Sequence, residues 1–395
     1  MNRLTKTFFV SLMLFAGLAL TAEPKFKKIV ISDKFHGEGA AIGDFNNDGK
    51  PDIVSGHYWY EGPEFKTARQ IFEGKDFDPK GYSGCFGIFA DDFNGDGWTD
   101  ILVCPHPGST GFWYENPKGK DGLWVKHHAT PELGNESPAF TDILGLKRPQ
   151  LLYNRNKQLG LAMPNPEKPN EPWDFLPVST EDKKWHKYTH GTGCGDINGD
   201  GRIDILESGG WYEQPQDPKQ TPWTFHPFPF ASDAAHMLVY DVDGDGLNDV
   251  VTAVHCHLYG FAWYRQIKSD GKISFEKTEL IPSKPADDFV PKVSQLHALV
   301  KADVNGDGIP DVITGKRFWA HGPNGDVAPN DPALLMWWET KREKGQAVLV
   351  PHVIDDNSGV GTQFAAGDLN GDGKTDIVIG NKKGTFIFLS TGENP

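Results

Sequence analysis

An acidic nine-residue loop that recurs along the chain constrains its fold more than any other feature of the sequence. The pattern Asp-x-Asn/Asp-x-Asp-Gly-x-x-Asp occurs six times, and each copy runs directly into a short stretch of Ile, Val and Leu. The copies begin at Asp44, Asp92, Asp196, Asp241, Asp303 and Asp368. Because β-branched residues after a turn rich in Gly and Asp are typical of a strand, each loop is predicted to join two strands of a hairpin.

The loop has the composition of a calcium site. Side-chain oxygens at positions 1, 3, 5 and 9 and a backbone carbonyl at position 7 can surround a hard cation, and glycine at position 6 permits the sharp turn. An EF-hand would instead need glutamate at position 12 and flanking helices. We therefore expect about six Ca²⁺ sites. The predicted ligands, with the residue at position 7 contributing its carbonyl, are Asp44, Asn46, Asp48, Lys50 and Asp52; Asp92, Asn94, Asp96, Trp98 and Asp100; Asp196, Asn198, Asp200, Arg202 and Asp204; Asp241, Asp243, Asp245, Leu247 and Asp249; Asp303, Asn305, Asp307, Ile309 and Asp311; and Asp368, Asn370, Asp372, Lys374 and Asp376.

The spacing of the loops reveals one further repeat that has lost its acidic residues. The interval between Asp92 and Asp196 is unusually long, and within it Asp142 keeps the first anchor and is followed by a strand-like stretch. No calcium is expected there. Aromatic strands such as Trp59-Tyr60-Glu61 follow most of the loops. Seven units of about four strands each predict an all-β fold, a seven-bladed β-propeller of four-stranded blades.

These loops resemble those of the FG-GAP/VCBS repeat family, whose blades carry Asp-x-Asn-x-Asp-Gly-x-x-Asp loops between their first and second strands. The resemblance covers essentially all of the chain after its N-terminal leader, and it implies a β-propeller. It implies less about function, because the family includes adhesion receptors, lectin-like modules and carbohydrate lyases. More distantly, the chain is similar to the propeller domain of aldos-2-ulose dehydratases and to propeller polysaccharide lyases, in blade pattern and in the composition of the channel mouth.

The two ends of the chain predict how the ring closes and where the protein goes. The last repeat supplies only three strands, so the stretch from Lys25 to Ser32 is predicted to complete the last blade. Residues 1–22 combine a basic start, a short apolar run and a small residue at the end, and are predicted to be a cleavable signal peptide. Residues 23–395 are then predicted to form a single propeller domain, secreted or periplasmic and monomeric, without a membrane span.

Charge and cysteine content narrow the partners further. The net charge of −15 arises mainly from the loops, and six bound divalent ions would cancel about twelve of those charges. With no basic patch, no nucleic-acid partner is expected. Cys85 and Cys104 lie on predicted neighbouring strands, so a disulfide and buried free thiols both remain open for them.

Propeller geometry places the candidate chemistry on the face opposite the loops. Since the loops join first strands to second strands, the starts of first strands and the ends of second strands meet around the other mouth of the channel. Ionisable residues occupy those positions: His36, Glu38, His57, His106, Arg155, His190, Glu207, His236, His255, His257, His297, Lys316, Arg317 and Lys382.

Four of these histidines suggest a metal site. His255 and His257 would share one face of a strand, and His236 and His297 at neighbouring strand starts would complete the site for one further divalent metal such as Zn²⁺ or Mn²⁺. The alternative is that the imidazoles bind substrate hydroxyls or act as bases.

Histidines, cations and a carboxylate around an open pocket suit removal of a proton next to a carbonyl group. The resemblance to dehydratases and lyases implies the same chemistry, so we expect a lyase or dehydratase that acts on a sugar or polysaccharide by β-elimination. The alternative is a non-catalytic module that binds a glycan or a protein through this face. The segment from Trp319 to Pro332 is predicted to lie over the pocket as a lid. Candidate catalytic residues are His190 or His255 as base, Arg317 or Lys316 as anion neutraliser, Tyr259 or Tyr153 as acid, and His57 and Glu207.

Overall fold

The all-β prediction is confirmed. The computed structural model describes residues 24–165, 167–343 and 346–392, so the predicted signal peptide lies outside the described residues. Within those ranges all regular secondary structure is β-strand, in 27 strands. No helix in the described part of the chain is long and apolar enough to cross a membrane.

The strands follow one another as antiparallel meanders. The chain begins with β1 (Phe26–Ser32). The first meander contains β2 (Ala40–Gly43), β3 (Asp52–Ser55), β4 (Tyr58–Tyr60) and β5 (Ala68–Gln70). The second contains β6 (Gly87–Asp91), β7 (Asp100–Cys104), β8 (Ser109–Glu115) and the first half of β9 (Val125–Thr141). The third contains the second half of β9, then β10 (Gln150–Arg155), β11 (Gln158–Met163) and β12 (Asp174–Pro177).

The second half of the chain continues the pattern. The fourth meander contains β13 (Thr192–Gly195), β14 (Asp204–Glu207), β15 (Gly210–Glu213) and β16 (Thr224–Pro227). The fifth contains β17 (Met237–Tyr240), β18 (Asp249–Ala253), β19 (Phe261–Ser269) and β20 (Lys272–Ile281). The sixth contains β21 (Leu296–Ala302), β22 (Asp311–Lys316), β23 (Leu335–Glu343) and β24 (Gln346–Asp355). The last contains β25 (Phe364–Gly367), β26 (Asp376–Asn381) and β27 (Gly384–Ser390).

The N-terminal strand completes the last meander, as predicted. β1 pairs antiparallel with β27, and Ile29 lies opposite Ile387. β2 contacts both β6 and β25, so the first meander has the second on one side and the last on the other. The blade count itself stays a prediction, because the hydrogen-bonded sheets number five: β9 joins two meanders, and a single parallel bridge from Gly193 to Met237 joins two others.

A buried carboxylate at the end of each acidic loop ties the hairpin to the third strand of its meander. One carboxylate oxygen of Asp100 accepts the N–H of Phe93 within the loop at 3.1 Å, and the other accepts the N–H of Asn116 after β8 at 2.8 Å. In the repeat without acidic ligands, Gln150 Oε1 accepts the N–H groups of Ile143 and Leu144, both at 2.8 Å. The same two-bond arrangement as at Asp100 recurs at Asp52, Asp204, Asp249, Asp311 and Asp376.

The aromatic third strands pack inside the protein through a recurring contact with the fourth strand. The Trp113 ring stacks on His127 with centroids 4.2 Å apart, and His127 bonds Glu115 at 2.9 Å. In the first meander the guanidinium of Arg69 takes the place of the imidazole over Trp59. The contact recurs as Trp211 with His226 and Glu213, and as Trp337 with His352 and Glu339. These tryptophans are buried, which fits packing rather than stacking on sugars.

The cysteines make no disulfide within the described residues. Cys85, Cys104, Cys194 and Cys256 are all free, and all but Cys194 are buried. Burial raises the pKa of Cys85 to about 12, so this thiol stays protonated and behaves as a small apolar group. The sequence left both a disulfide and buried free thiols open for Cys85 and Cys104, and the structure shows buried free thiols.

Replacing Gln150 by leucine should destabilise the fold more than the same change at Gln158, which lies half-buried in the same meander. Gln150→Leu removes the side-chain acceptor of two N–H groups. Ile143 N–H keeps a hydrogen bond to the Thr141 carbonyl, but Leu144 N–H is left without its acceptor, at about 1–3 kcal/mol, whereas the side chain of Gln158 only donates to Ser179 O. We expect a loss of about 1–3 kcal/mol for the first variant and under about 1 kcal/mol for the second, measured by urea unfolding. Equal losses would show that the buried acceptor does not hold the hairpin.

Candidate functional site

A buried arginine links three separate meanders at the mouth opposite the loops. Arg317 follows β22 and is 1% exposed. Its Nε donates to Glu38 Oε2 at 2.6 Å, and its Nη1 donates to Glu136 Oε2 at 3.1 Å. Glu38 precedes β2 and Glu136 lies in β9, so the three charges come from the sixth, first and third meanders. We call these three residues the arginine bridge.

The arginine bridge holds the carboxylate of Glu136 in the ionised form. Burial alone would raise the pKa of Glu136, but the neighbouring imidazole of His190 and the charge of Arg317 outweigh it and lower that pKa to about 2. His190 Nε2 lies 3.4 Å from Glu136 Oε2, which connects the bridge to the histidines beside it.

Three imidazoles from three successive meanders converge beside the arginine bridge. The ring centroids of His190 and His257 are 4.9 Å apart, those of His257 and His297 are 4.8 Å apart, and those of His190 and His297 are 5.7 Å apart. One ligand atom of each, together with Cys256 Sγ, lies within 4.8 Å of all the others. We call His190, His257 and His297 the histidine cluster.

Each ring of the histidine cluster faces an oxygen with its Nδ1 atom. The partners are Asp233 Oδ1 at 3.4 Å for His190, Asp326 Oδ1 at 3.5 Å for His257, and the carbonyl of Gln295 at 3.1 Å for His297. Within the described structure, Nε2 of His190 and Nε2 of His297 are buried and have no hydrogen-bond partner. His257 Nδ1 is also buried and without a hydrogen-bond partner there. Metal-binding histidines commonly have one ring nitrogen directed at a carboxylate or carbonyl oxygen.

The protonation states suit a metal ligand set. Burial, the charge of Arg317 and the other two imidazoles lower the pKa of His297 well below its usual value, so this ring is neutral. Burial and the neighbouring Asp233 raise the pKa of the Cys256 thiol, which donates to Asp233 Oδ2 at 3.0 Å. This site therefore contains a neutral imidazole at His297 with a protonated thiol at Cys256 beside it.

The segment from Trp319 to Pro332 lies at the edge of the cluster, and an aromatic rim surrounds the opening. His321 Nδ1 bonds Asp326 Oδ1 at 2.8 Å, and this hydrogen bond raises the pKa of His321. Burial would raise the pKa of Asp326, but hydrogen bonds from His257 and His321 lower it. The Tyr82 ring lies 6.3 Å from that of His321 and 5.5 Å from that of His106, and Tyr82 is 44% exposed.

The metal site predicted from His236, His255, His257 and His297 differs from the cluster that the structure contains. β18 ends at Ala253, and the residues that follow form a turn closed by Leu258 N–H to the His255 carbonyl at 3.2 Å. His255 and His257 therefore do not share a strand face, and His255 bonds Ser232 Oγ at 2.8 Å. His236 lines a separate cavity of about 250 Å³ between the inner strands, where burial lowers its pKa to about 4.

Several predicted catalytic residues do not reach the opening. Tyr153 is fully buried and bonds Thr130 Oγ1 at 2.8 Å, so it cannot donate to a substrate. Lys316 is also buried and bonds Ser294 Oγ and the Ala328 carbonyl. Like Arg317, it has no exposed donor for a substrate anion, so the neutraliser role expected for these two residues does not fit.

The remaining candidates lie elsewhere on the same face. Glu207 pairs with Lys184 at 2.7 Å, and Tyr259 lies beside Lys292. The His57 ring lies 5.3 Å from His36.

The acidic loops have the geometry and charge of cation sites. In the first loop, Asp44 accepts the N–H groups of Asp48 and Gly49, which curls the loop around its carboxylates. Burial raises the pKa of Asp100 to about 8, and the carboxylates of Asp96 and Asp92 act in the same direction. A cation among these oxygens would relieve that repulsion, so the donor set fits Ca²⁺.

The fourth loop carries one carboxylate more than the others. Oxygens of Asp241, Asp243 and Asp249 lie within 4.8 Å of one another. Arg265 on β19 pairs with Asp243 at 2.5 Å and with Asp245 at 3.1 Å. Arg265 thus balances the additional negative charge of Asp243, which stands where the other acidic loops carry asparagine.

Comparison with known proteins identifies the repeats and the fold. Residues 241–314 match the FG-GAP-like repeat and residues 360–392 match the FG-GAP repeat. No curated protein matches the chain. Among solved structures, BBS1N from its complex with ARL6DN has a TM-score of 0.50 at 11% identity, over 93% of this chain and 97% of that chain.

Two further solved structures are less similar by TM-score. An Agrocybe aegerita lectin that recognises non-reducing terminal N-acetylglucosamine has a TM-score of 0.49 at 14% identity, over 92% of this chain and 87% of that chain. The V. cholerae biofilm matrix protein Bap1 has a TM-score of 0.38 at 12% identity, over 92% and 81%. Identities this low concern the fold alone. Acidic loops in register, antiparallel meanders closed by the N-terminal strand, and the two matched segments agree that the chain carries FG-GAP repeats in an all-β fold.

Proposed function

We propose that this protein binds a neutral sugar at the mouth opposite the acidic loops and removes water from it by β-elimination, with a divalent metal ion held by the histidine cluster. The observation that carries the proposal is the convergence of His190, His257 and His297: one ring nitrogen of each lies within 4.8 Å of the others, and Nδ1 of each lies 3.1–3.5 Å from a protein oxygen. Three imidazoles and an open fourth position are the ligand set of many catalytic zinc sites.

A metal ion in this position would supply Lewis-acid chemistry. Polarising the carbonyl oxygen of a keto-sugar makes the neighbouring C–H bond more acidic. Asp326 would support this role because its Oδ1 lies 3.5 Å from His257 Nδ1, and a carboxylate beside a metal-binding histidine orients the ring and raises its basicity.

Two side chains at the rim have the chemistry for the proton transfers. His321 is held by Asp326 through Nδ1 and is exposed, so its other ring nitrogen can take the proton next to the carbonyl. The electrons of that C–H bond form the new C=C bond, and the C–O bond to the β-hydroxyl breaks. Tyr82, exposed beside His321, would donate the proton that completes the departing water.

The charges at the mouth favour a neutral sugar over an acidic polysaccharide. Arg317, Lys316 and Lys382 are all buried and bonded to protein atoms, so none of them can meet a uronate carboxylate. Asp233, in contrast, is 41% exposed and would repel one. The exposed rings of Tyr82 and Tyr188 offer apolar surface for the C–H faces of a sugar ring.

Turnover of neutral keto-sugars should depend on the rim residues. We expect absorbance from an α,β-unsaturated ketone with the wild-type protein, and a fall in kcat of at least about 100-fold in Tyr82→Phe and in His321→Gln, because each loses a proton-transfer group. Tyr188→Phe is the matched control, since Tyr188 is a rim tyrosine that contacts His106 rather than His321, and it should keep full activity.

Metal dependence separates the enzyme from a binding module. Removing transition metals in the presence of excess Ca²⁺ should abolish turnover, and adding Zn²⁺ or Mn²⁺ back should restore it. Tight glycan binding without product from any neutral keto-sugar would overturn the lyase proposal and favour the non-catalytic alternative. Activity on uronate polymers alone would overturn the proposed substrate class.

We also infer that the six acidic loops bind Ca²⁺ and stabilise the fold. Because a ligand that binds only the native state adds stability, each saturated site contributes about 2.7 kcal/mol at a hundred times its Kd. Chelating calcium should therefore lower Tm substantially, and re-addition should restore it.

The loop without acidic ligands provides an internal control for calcium. Asp368→Asn in an acidic loop should reduce the rise in Tm that Ca²⁺ produces, whereas Asp142→Asn should leave that rise unchanged. Asp368 accepts four loop N–H groups and Asp142 accepts two, so each variant's rise in Tm with Ca²⁺ is measured against its own calcium-free protein. An identical response of both variants to Ca²⁺, measured by calorimetry, would contradict a calcium site at Asp368.

A further inference from the structure

Two histidines and an aspartate converge where the N-terminal strand passes into the first meander. His36 lies on the connection between β1 and β2, His57 lies in the turn between β3 and β4, and Asp76 lies on the loop after β5. The rings of His36 and His57 are 5.3 Å apart and nearly perpendicular, and His36 Nδ1 lies 3.1 Å from Asp76 Oδ1. One ligand atom from each residue lies within 4.8 Å of the other two. The group shares no residue with the histidine cluster.

The site is built by the surrounding chain. His36 and His57 are 6% and 3% exposed, and His36 Nε2 pairs with Ser32 Oγ at 2.9 Å. The loop that carries Asp76 is held against the His36 segment, because Phe77 N–H donates to the Phe35 carbonyl at 2.8 Å. The positions of His36 and Asp76 are therefore fixed by their neighbours.

His36 Nδ1 is buried and, within the described residues, makes no hydrogen bond, although Asp76 Oδ1 is only 3.1 Å away. An ion pair would normally satisfy both atoms with a direct hydrogen bond. Two ligands of one metal ion are instead on the order of 3.0–3.4 Å apart when each lies about 2.1 Å from the metal. The separation fits two ligands of one ion, and the missing hydrogen bond leaves His36 Nδ1 available to bind it.

We propose that His36, His57 and Asp76 form a second transition-metal site that fastens the N-terminal strand to the first meander. Two imidazoles and one carboxylate are a common ligand set for Zn²⁺, Co²⁺ and Fe²⁺, and a poor one for Ca²⁺, which takes six to eight oxygens. Asp76 is half-exposed, so the site opens to solvent on that side. We call it the closure site.

The position of the closure site gives the bound ion a structural role. β1 belongs to the last meander and β2 to the first, and His36 follows the last residue of β1 by four positions. A metal ion there would join this connection to the β3–β4 turn and to the loop after β5. Because the ion would bind the closed ring and not the unfolded chain, its binding should raise Tm.

Cobalt binding to metal-free protein in the presence of excess Ca²⁺ tests the closure site. Asp76→Asn changes a half-exposed side chain and should fold. Asp78→Asn is the matched control, because Asp78 is an aspartate on the same loop whose Oδ1 caps the N–H of Lys80. We expect Asp76→Asn to bind about one equivalent of Co²⁺ less than the wild-type protein and to lose the visible absorption and the rise in Tm that this equivalent produces. Asp78→Asn should keep the wild-type number of Co²⁺ equivalents, the absorption and the rise in Tm.

The same titration distinguishes this site from the histidine cluster. His257→Gln should lose a different equivalent and keep the rise in Tm that belongs to the closure site, so failure of one site leaves the other measurable. Equal numbers of Co²⁺ equivalents and equal Tm responses in Asp76→Asn and Asp78→Asn would overturn the closure site and leave His36 and Asp76 as a metal-free pair. A His57→Asn variant that binds Co²⁺ with an unchanged spectrum would overturn it as well.

Discussion

The rest of the structure depends on the buried acceptor at the end of each loop. A carboxylate such as Asp100 takes one N–H group from its own loop and one from the residue after the third strand, so a single side chain fixes the hairpin and the direction of the strand that follows. A buried N–H group without an acceptor is costly, which makes this arrangement hard to replace. Gln150 keeps the loop half of this arrangement with a neutral amide, because its Oε1 accepts two N–H groups of its own loop in the repeat that lacks acidic ligands.

Much of the fold follows from these loops, and the sequence therefore predicts it well. The all-β class, the loop positions and closure by β1 all depend on a local pattern and on strand alternation. Which residues form the site depends neither on the loop pattern nor on strand alternation. His257 lies in a turn, where alternation no longer determines which way a side chain points. Tyr153 lies at a second-strand position like those of the rim candidates, yet packing within the third meander buries it.

The residues that the sequence did not single out lie where its patterns are weakest. Glu136 belongs to the repeat without acidic ligands, whose first strand is the second half of β9. Asp326 lies in the irregular segment after β22, and Tyr82 lies in the long connection between β5 and β6. One signal was available for Glu136: it precedes the Asp142 anchor by about as many residues as Glu38 precedes Asp44. Carboxylates at matching points of two repeats are what a shared arginine requires.

The arginine bridge explains how separate meanders can position one site. Removing one partner of a buried ion pair leaves an unpaired charge and typically costs about 3–5 kcal/mol, so Glu38 and Glu136 are held firmly by Arg317. Glu136 in turn contacts His190, which carries this constraint into the histidine cluster. The neutral state of His297 has the same origin, because the charge of Arg317 adds to burial in lowering its pKa.

The two faces of the ring thus present different ligands to metal ions. The loops offer carboxylate and carbonyl oxygens, which suit Ca²⁺, and the opposite face offers imidazoles, which suit transition metals. This division follows from the meander itself: the turn between first and second strands needs Asp, Asn and Gly for its backbone hydrogen bonds, so the oxygen donors accumulate on that side. The other ends of the strands carry no such requirement and are free to differ between repeats. A repeated framework on one face and a unique site on the other are therefore consequences of the same loop.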